Sequence, residues 1–421
     1  MRGTSILPLL VVALVPLTLF GLIIVGSSLG AVGWRPPVLW SESFGSPIGA
    51  SGITAVTVYN ANRYVCGYLN STTTFGTPFI REYDLNGGDV WTRTLASGPS
   101  TVTSPLLLGI SVNTAGLFVI GDINDNITLL KYDFTGNQLW VRQLGRTYGG
   151  EAAFATSTGV FVAGVASGLF PNETYSVQTP FIRQYDANGN TIWTQKLANS
   201  PTGVYALYVD SSGVFVLSDN FLLKYDLSGN ELWAIGAAGK GLSVDATGSY
   251  VSGSSLTKYR IDGTMAWSTV LHTPDGNIVA DSLVSSDSSG VYVSMSDGKG
   301  RQYVTKYDSS DNQIWTSRVD PVPSNLLTYR GGYIITVASG GVYLAGSTEV
   351  GQLTYAVVEE LAESSSLVFF GVNPPWSFVT VGVLSAAVVF SSFFWFRKYQ
   401  RRLNARPRSV TRYHPNFDVT R

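Results

Sequence analysis

The ten residues KYDLSGNELW, Lys224–Trp233, recur as KYDFTGNQLW at 131–140, YDANGNTIW at 185–193 and KYDSSDNQIW at 306–315. Looser copies stand at 83–91 (YDLNGGDVW) and 258–267 (KYRIDGTMAW). A phrase that returns this often is an architectural signal before it is a chemical one. Along Leu222–Tyr225 side chains alternate, which puts Leu222 and Lys224 on one face of a strand and Leu223 and Tyr225 on the other. Asp226–Gly229 then suits a type I turn: the Asp carboxylate accepts backbone N–H bonds at the first position and Gly takes positive φ at the last. Glu231–Trp233 opens the next strand, with an indole large enough to fill space between layers. The phrase reads as a β-hairpin, and its repeated Asp and Gly as turn chemistry.

A second phrase precedes each hairpin: RYVCGY at 63–68, GLFVIGD at 116–122, GVFVAGV at 159–165, GVFVLSD at 213–219, GSYVSGS at 248–254, GVYVSMS at 290–296 and GVYLAGS at 341–347. Each is a short apolar strand opened by a turn, with a less regular strand before that turn. One unit thus holds four strands, a to d, and Trp marks strand d at 91, 140, 193, 233, 267 and 315. Strands b and c occur seven times, the last c being LTYAVVEEL at 353–361, but strand d follows c only six times. The missing one is VLWSESFG at 38–45, with Trp40 in the Trp position. A first segment that completes the last unit is circular closure, which removes a free sheet edge. The expected fold is all-β: a seven-bladed β-propeller over residues 38–361.

The run GVFVAG…FIRQYDANGNxxW, residues 159–193, resembles the seven-bladed propeller repeats (SBBP repeats) of prokaryotic surface and secreted proteins. It is also similar to the repeats of quinoprotein-like propellers. The resemblance extends over about three quarters of the chain, and it speaks to fold more than activity because propellers host unrelated functions. A quinoprotein likeness implies a quinone with calcium at the ring centre, and often a vicinal Cys pair. Cys66 is the single cysteine, so that pair is missing.

The ends differ from the body. Residues 6–26 are apolar for 21 positions, with Arg2 before them and small residues after. Residues 1–33 are therefore a secretory signal peptide or an N-terminal membrane anchor. Residues 376–396 form a second uncharged stretch of 21, with Trp376 and Trp395 at its ends. That is a transmembrane helix by length and flanks, joined to the propeller by a linker at 362–375. The segment 397–421 carries eight Lys or Arg and one acid, Asp418, which places it in the cytoplasm. Residues 34–375 hold 18 basic and 27 acidic residues, a net charge of −9, which disfavours nucleic acid as a partner.

Candidate chemistry is sparse. With one cysteine and two histidines, His272 and His414, neither a disulfide framework nor a multi-histidine metal site can form. Cys66 takes the place of Ala163 in the strand b phrase, as a small core residue would. Asp122, Asn124 and Asn126 alternate like oxygen ligands of a calcium loop, without the following Gly or a distal Glu. Arg81 and Arg183 precede strand c tyrosines but do not form the converging set a propeller hydrolase needs. Sequons stand at Asn70, Asn126 and Asn172, as possible glycosylation sites, all in b–c loops.

Turns a–b and c–d share one end of a blade and are short, whereas the b–c loops at 69–78 and 166–180 are long. Binding residues concentrate on long loops over rigid scaffolds, which selects Phe75, Phe170 and Tyr175 for partner contact. The expected function is a membrane-anchored extracellular propeller that binds a surface protein or glycan. No catalytic residue and no resident cofactor are expected. The alternative is an extracytoplasmic enzyme with a quinone or metal in the central channel.

Overall fold

A computed structural model describes residues 38–362, apart from 46–49, 72–75, 96–105, 171–176, 198, 200–201, 278, 280, 297–301, 320–333, 339–340 and 351–352. The expected membrane segments, linker and tail lie outside the described residues. Among the described residues no helix is long and apolar enough to cross a membrane.

The fold is an all-β propeller. Its first sheet holds Ala50–Tyr59, Asn62–Ser71, Thr77–Tyr83 and Asp89–Thr94 in that order. A seven-stranded sheet follows: Leu106–Asn113, Gly116–Ile123, Asn126–Tyr132, Gln138–Thr156, Gly159–Ser167, Thr179–Asp186 and Thr191–Lys196. Three four-stranded sheets come next, beginning at Val204–Asp210, Gly241–Asp245 and Asp281–Asp287. The last sheet orders Ile334–Ala338, Gly341–Val350, Leu353–Ala362 and Val38–Phe44. The first described strand is thus the outer strand of the last sheet, with Val38 opposite Leu361 and Phe44 opposite Ala356. Phe44 meets the first sheet directly, edge-on to Phe79 at 5.3 Å and 4.1 Å from the Arg81 guanidinium.

Burial explains the two sequence phrases. Strand b is covered on both faces: Gly159–Ser167 and Gly213–Ser218 are buried throughout, which is why they read as unbroken apolar runs. The Trp strand is outermost, and Thr191–Lys196 is exposed at both ends and half-buried between. Hydrophobic clusters join neighbouring sheets in turn. Phe118 packs with Val160 across the two halves of the seven-stranded sheet, Phe161 with Val214, and Phe215 with Val251. Tyr250 packs with Val293, Tyr292 with Val342, and Tyr343 returns to Val65 of the first sheet. Tyr64 with Leu107 completes the circuit.

The hairpin phrase does more than turn the chain. Asp226 Oδ1 accepts the N–H groups of Ser228 and Asn230 at 2.9 Å each, and Asn230 Nδ2 donates to Oδ2 at 2.8 Å. The same bonds recur at Asp133, Asp186 and Asp308. Four Trp side chains then reach the next unit's turn. Trp91 Nε1 donates to Phe134 O at 3.1 Å, Trp140 to Ala187 O at 3.3 Å, Trp193 to Leu227 O at 3.2 Å and Trp233 to Ile261 O at 3.1 Å. The turn glycine lies under the arriving ring: a Cβ on Gly229, at φ 88°, would stand 3.0 Å from Trp193. That glycine satisfies both the positive φ and the close approach.

A cation is stacked into the same rows. Lys131 stands opposite Phe118 on one side and Trp140 on the other. Its Nζ lies 5.4 Å from the Phe118 ring centre and donates to Ala187 O at 2.7 Å. Lys224 repeats this with Phe215 and Ile261 O. Burial holds both ammonium groups below their ordinary pKa.

Candidate binding face

Antiparallel order puts the a–b and c–d connections of every sheet at one end and the b–c loops at the other. The turn end is uniform, built from the Asp-bonded hairpins above. Hydrogen bonds from Asn137, chiefly its backbone N–H, pull the Asp133 carboxyl down to about 2. These carboxylates are therefore engaged in turn geometry rather than poised for proton transfer. The loop end is varied: eleven residues separate Ser167 from Thr179, but two separate Ser218 from Phe221.

The last residues of the long loop, Val177 and Gln178, help to line a cavity of about 290 Å³. Its walls are Val165, Val177, Pro180 and Leu197, and its polar groups come from Gln178, Thr179, Lys196 and Thr202. Phe170 is half-buried, packed on the core cluster between the two halves of the seven-stranded sheet. Lys196 Nζ lies 4.9 Å from its ring centre. Thr202 Oγ1 donates to Asp219 Oδ2 at 2.6 Å, which ties the next sheet's short loop to the cavity wall. The volume stands near the lower end of the roughly 300–1,000 Å³ of small-molecule sites, room for one small ligand or one protruding side chain.

Of the expected contact residues, Phe170 is thus beside the cavity, whereas Phe75 and Tyr175 lie outside the described residues. So does the sequon at Asn172. Asn70 lies near the end of Asn62–Ser71. Asn126 follows a two-residue turn in which Asn124 and Asp125 have φ of 55° and 62°. Its Nδ2 donates to Asn124 O at 2.8 Å, so local turn bonding accounts for the spacing that suggests calcium ligands. Asp122, on the strand before, is pushed up to about 6, chiefly by burial and then by Asp125. Among the described residues no group of three His, Cys, Asp or Glu is placed to hold a metal ion.

The other singled-out residues are locally occupied. Arg81 Nε donates to Thr92 Oγ1 at 2.7 Å and pairs with Asp89 at 3.2 Å; Arg183 Nε donates to Thr194 Oγ1 at 2.7 Å in another sheet. Cys66 is fully buried, and His272 is exposed with Nδ1 3.1 Å from Val270 O. The cavity was missed from sequence because Lys196 reaches Gln178 through pairing of adjacent strands and Thr202 joins them from the start of the next sheet.

No family model matches this chain, and no curated protein sequence matches it. Solved structures do. Raptor from Chaetomium thermophilum is 11% identical with a TM-score of 0.54, over 79% of this chain and 29% of that one. The RRP9 WD40 repeats are 9% identical with a TM-score of 0.52, over 78% of this chain and 99% of that one. U3-55K is 8% identical with a TM-score of 0.51, over 78% of this chain and 100% of that one. At such identities the likeness shows the propeller fold, with WD40-like neighbours, and no more.

Proposed function

We propose that this chain is a seven-bladed β-propeller that serves as a membrane-tethered interaction scaffold, taking its partner on the long-loop face. Seven repeats of strands b and c support the blade number. On this reading the seven-stranded sheet is two blades that share Gln138–Thr156, a 19-residue strand that ends one blade and begins the next. The same repeats support the resemblance to SBBP-like surface propellers. The apolar stretches at 6–26 and 376–396 support tethering, and the basic tail after them supports a cytoplasmic C-terminus and an extracytoplasmic body. Whether residues 1–33 are cleaved or retained, both ends of the propeller leave from the turn end, since Val38 stands opposite Leu361. The loop face then looks away from the membrane.

The observation that carries the binding reading is the contrast between the two ends. One end is filled by turn hydrogen bonds; the other has the long loop, the half-buried Phe170 and the cavity with Lys196 and Thr202. A protein partner is favoured over a glycan because a cavity of about 290 Å³ has room for one protruding side chain, with loop surface around it to extend the contact. Replacing residues 168–178 by a two-residue turn like Asp219–Asn220 tests this. Partner capture at the cell surface should be abolished while the melting temperature stays within a few degrees. Undiminished capture, or a cofactor retained in the purified propeller, would count against the reading.

A further inference from the structure

Twelve of the thirteen large hydrophobic side chains exposed among the described residues sit on the outer Trp strands or in the hairpins leading into them. A regular feature of the backbone lies behind this. In each outer strand the ladder skips the residue before the Trp. Lys131 pairs with Trp140 and Tyr132 with Gln138, so Leu139 is left over. The same skip leaves Leu39, Val90, Ile192, Leu232 and Ile314, with Ala266 in the remaining case. A bulge spoils a sheet edge for pairing with a further strand, as natural edges commonly require. A polar residue would serve that purpose and keep the edge soluble. Here six of seven are Leu, Ile or Val, and these six are 48–57% exposed.

We propose that these bulged residues form an apolar belt through which copies of this chain pack side by side on a membrane. The proposal rests on the tethered reading above. The belt recurs on sheet after sheet around the ring, so a single ligand would cover a fraction of it, whereas identical neighbours in a plane meet on several sides. The bulges oppose strand-to-strand augmentation, which leaves side-chain packing as the mode of contact. Val38 pairs with Leu361, and Ala362 with Gly341, at the turn end. Eleven residues separate Val38 from the apolar stretch 6–26, and thirteen separate Ala362 from 376–396. Linkers of this length reach at most roughly 35–45 Å when extended, which on the tethered reading keeps copies in one layer at the membrane where their belts can meet.

The test uses the full chain in lipid vesicles, carrying Leu139→Cys together with Leu232→Cys, on different sheets. Cys66 is fully buried and stays in place. Vesicle flotation reports tethering, and mild oxidation followed by non-reducing electrophoresis reports contact. The double variant should give a ladder of cross-linked copies at least about tenfold stronger than Gln178→Cys at the loop end, since contact raises the effective concentration of the thiols. A chain that floats but cross-links no more than this control overturns the belt while leaving tethering intact. If the chain does not float, tethering fails, and sedimentation in solution decides: self-association lost in Leu139→Thr with Leu232→Thr supports the belt, and a monomer at all concentrations overturns it. A polarity-sensitive dye on the introduced cysteine at one copy per vesicle gives the last outcome. Apolar emission there assigns the belt to lipid and overturns contact between copies.

Discussion

The Trp-on-turn contact is a single-residue device, and one junction departs from it. In the sixth hairpin the turn glycine is replaced by Asp311, which holds φ at 71°. Its Oδ1 is buried without a partner, and so is Nε1 of Trp267, the ring that should dock there. Burial raises the Asp311 carboxyl above its ordinary pKa, against a hydrogen bond from Thr269, two residues after that Trp. A side chain where Trp needs glycine accounts for both orphaned atoms. Asp311→Gly should therefore stabilise the fold by about 1 kcal/mol, the order of the left-handed strain it removes, read as a higher urea midpoint and a changed Trp emission. Gly229→Ala should do the opposite, costing about 1–2 kcal/mol for a left-handed Cβ, more if Trp193 is displaced. The turn carboxylates add a pH term. Asp133 is held at about 2, below its ordinary 3.8, so the folded turn binds fewer protons than the unfolded chain. Its contribution is complete above about pH 4 and is lost as pH falls towards 2. Asp133→Ala should thus be less stable than the parent at pH 7, with the gap closing by pH 2 in parallel urea titrations.

At the scale of elements, the outer strand of the last sheet is supplied by Val38–Phe44, and it alone ties the last sheet to the chain's beginning by backbone pairing. Deleting 38–44 exposes the edge of Leu353–Ala362 and removes the Phe44 ring from Phe79 and Arg81. Two-state melting should give way to a broad transition or aggregation, seen by circular dichroism and light scattering. This element was legible in sequence because Trp40 keeps the phase of the repeat. The c–d hairpins were legible too, since turn chemistry is local and Asp226 to Gly229 carries it in four residues. The docking of Trp193 on the next unit's turn was not, because it joins residues 34 apart. Nor was the bulge at Leu139: Gln138 and Leu139 alternate as a regular strand would, and the skip follows from how the hairpin closes. Gln138–Thr156 also runs unbroken from a Trp strand into the first strand of the next unit, and no Pro or Asn interrupts its Gly-containing middle.

At the scale of the molecule, the sheets form a ring with a uniform turn end and a varied loop end, and the proposed binding falls on the second. Part of that site was legible: Phe170 was selected from loop length, and it stands beside the cavity through Lys196. The cavity itself depends on Thr202 and Asp219 from the next sheet, which sequence distance hides. Calcium spacing at Asp122, Asn124 and Asn126 was legible as a pattern, and a two-residue turn explains it as well. The most direct measurement is site-specific photo-cross-linking in cells expressing the full chain, with a photoreactive residue at Gln178 on the loop face or at Ser228 on the turn face. A discrete adduct is expected from Gln178 that disappears in Phe170→Ala with Lys196→Ala, a variant that keeps the probe position, and none is expected from Ser228. A discrete adduct from Ser228 with none from Gln178 would contradict binding on the loop face.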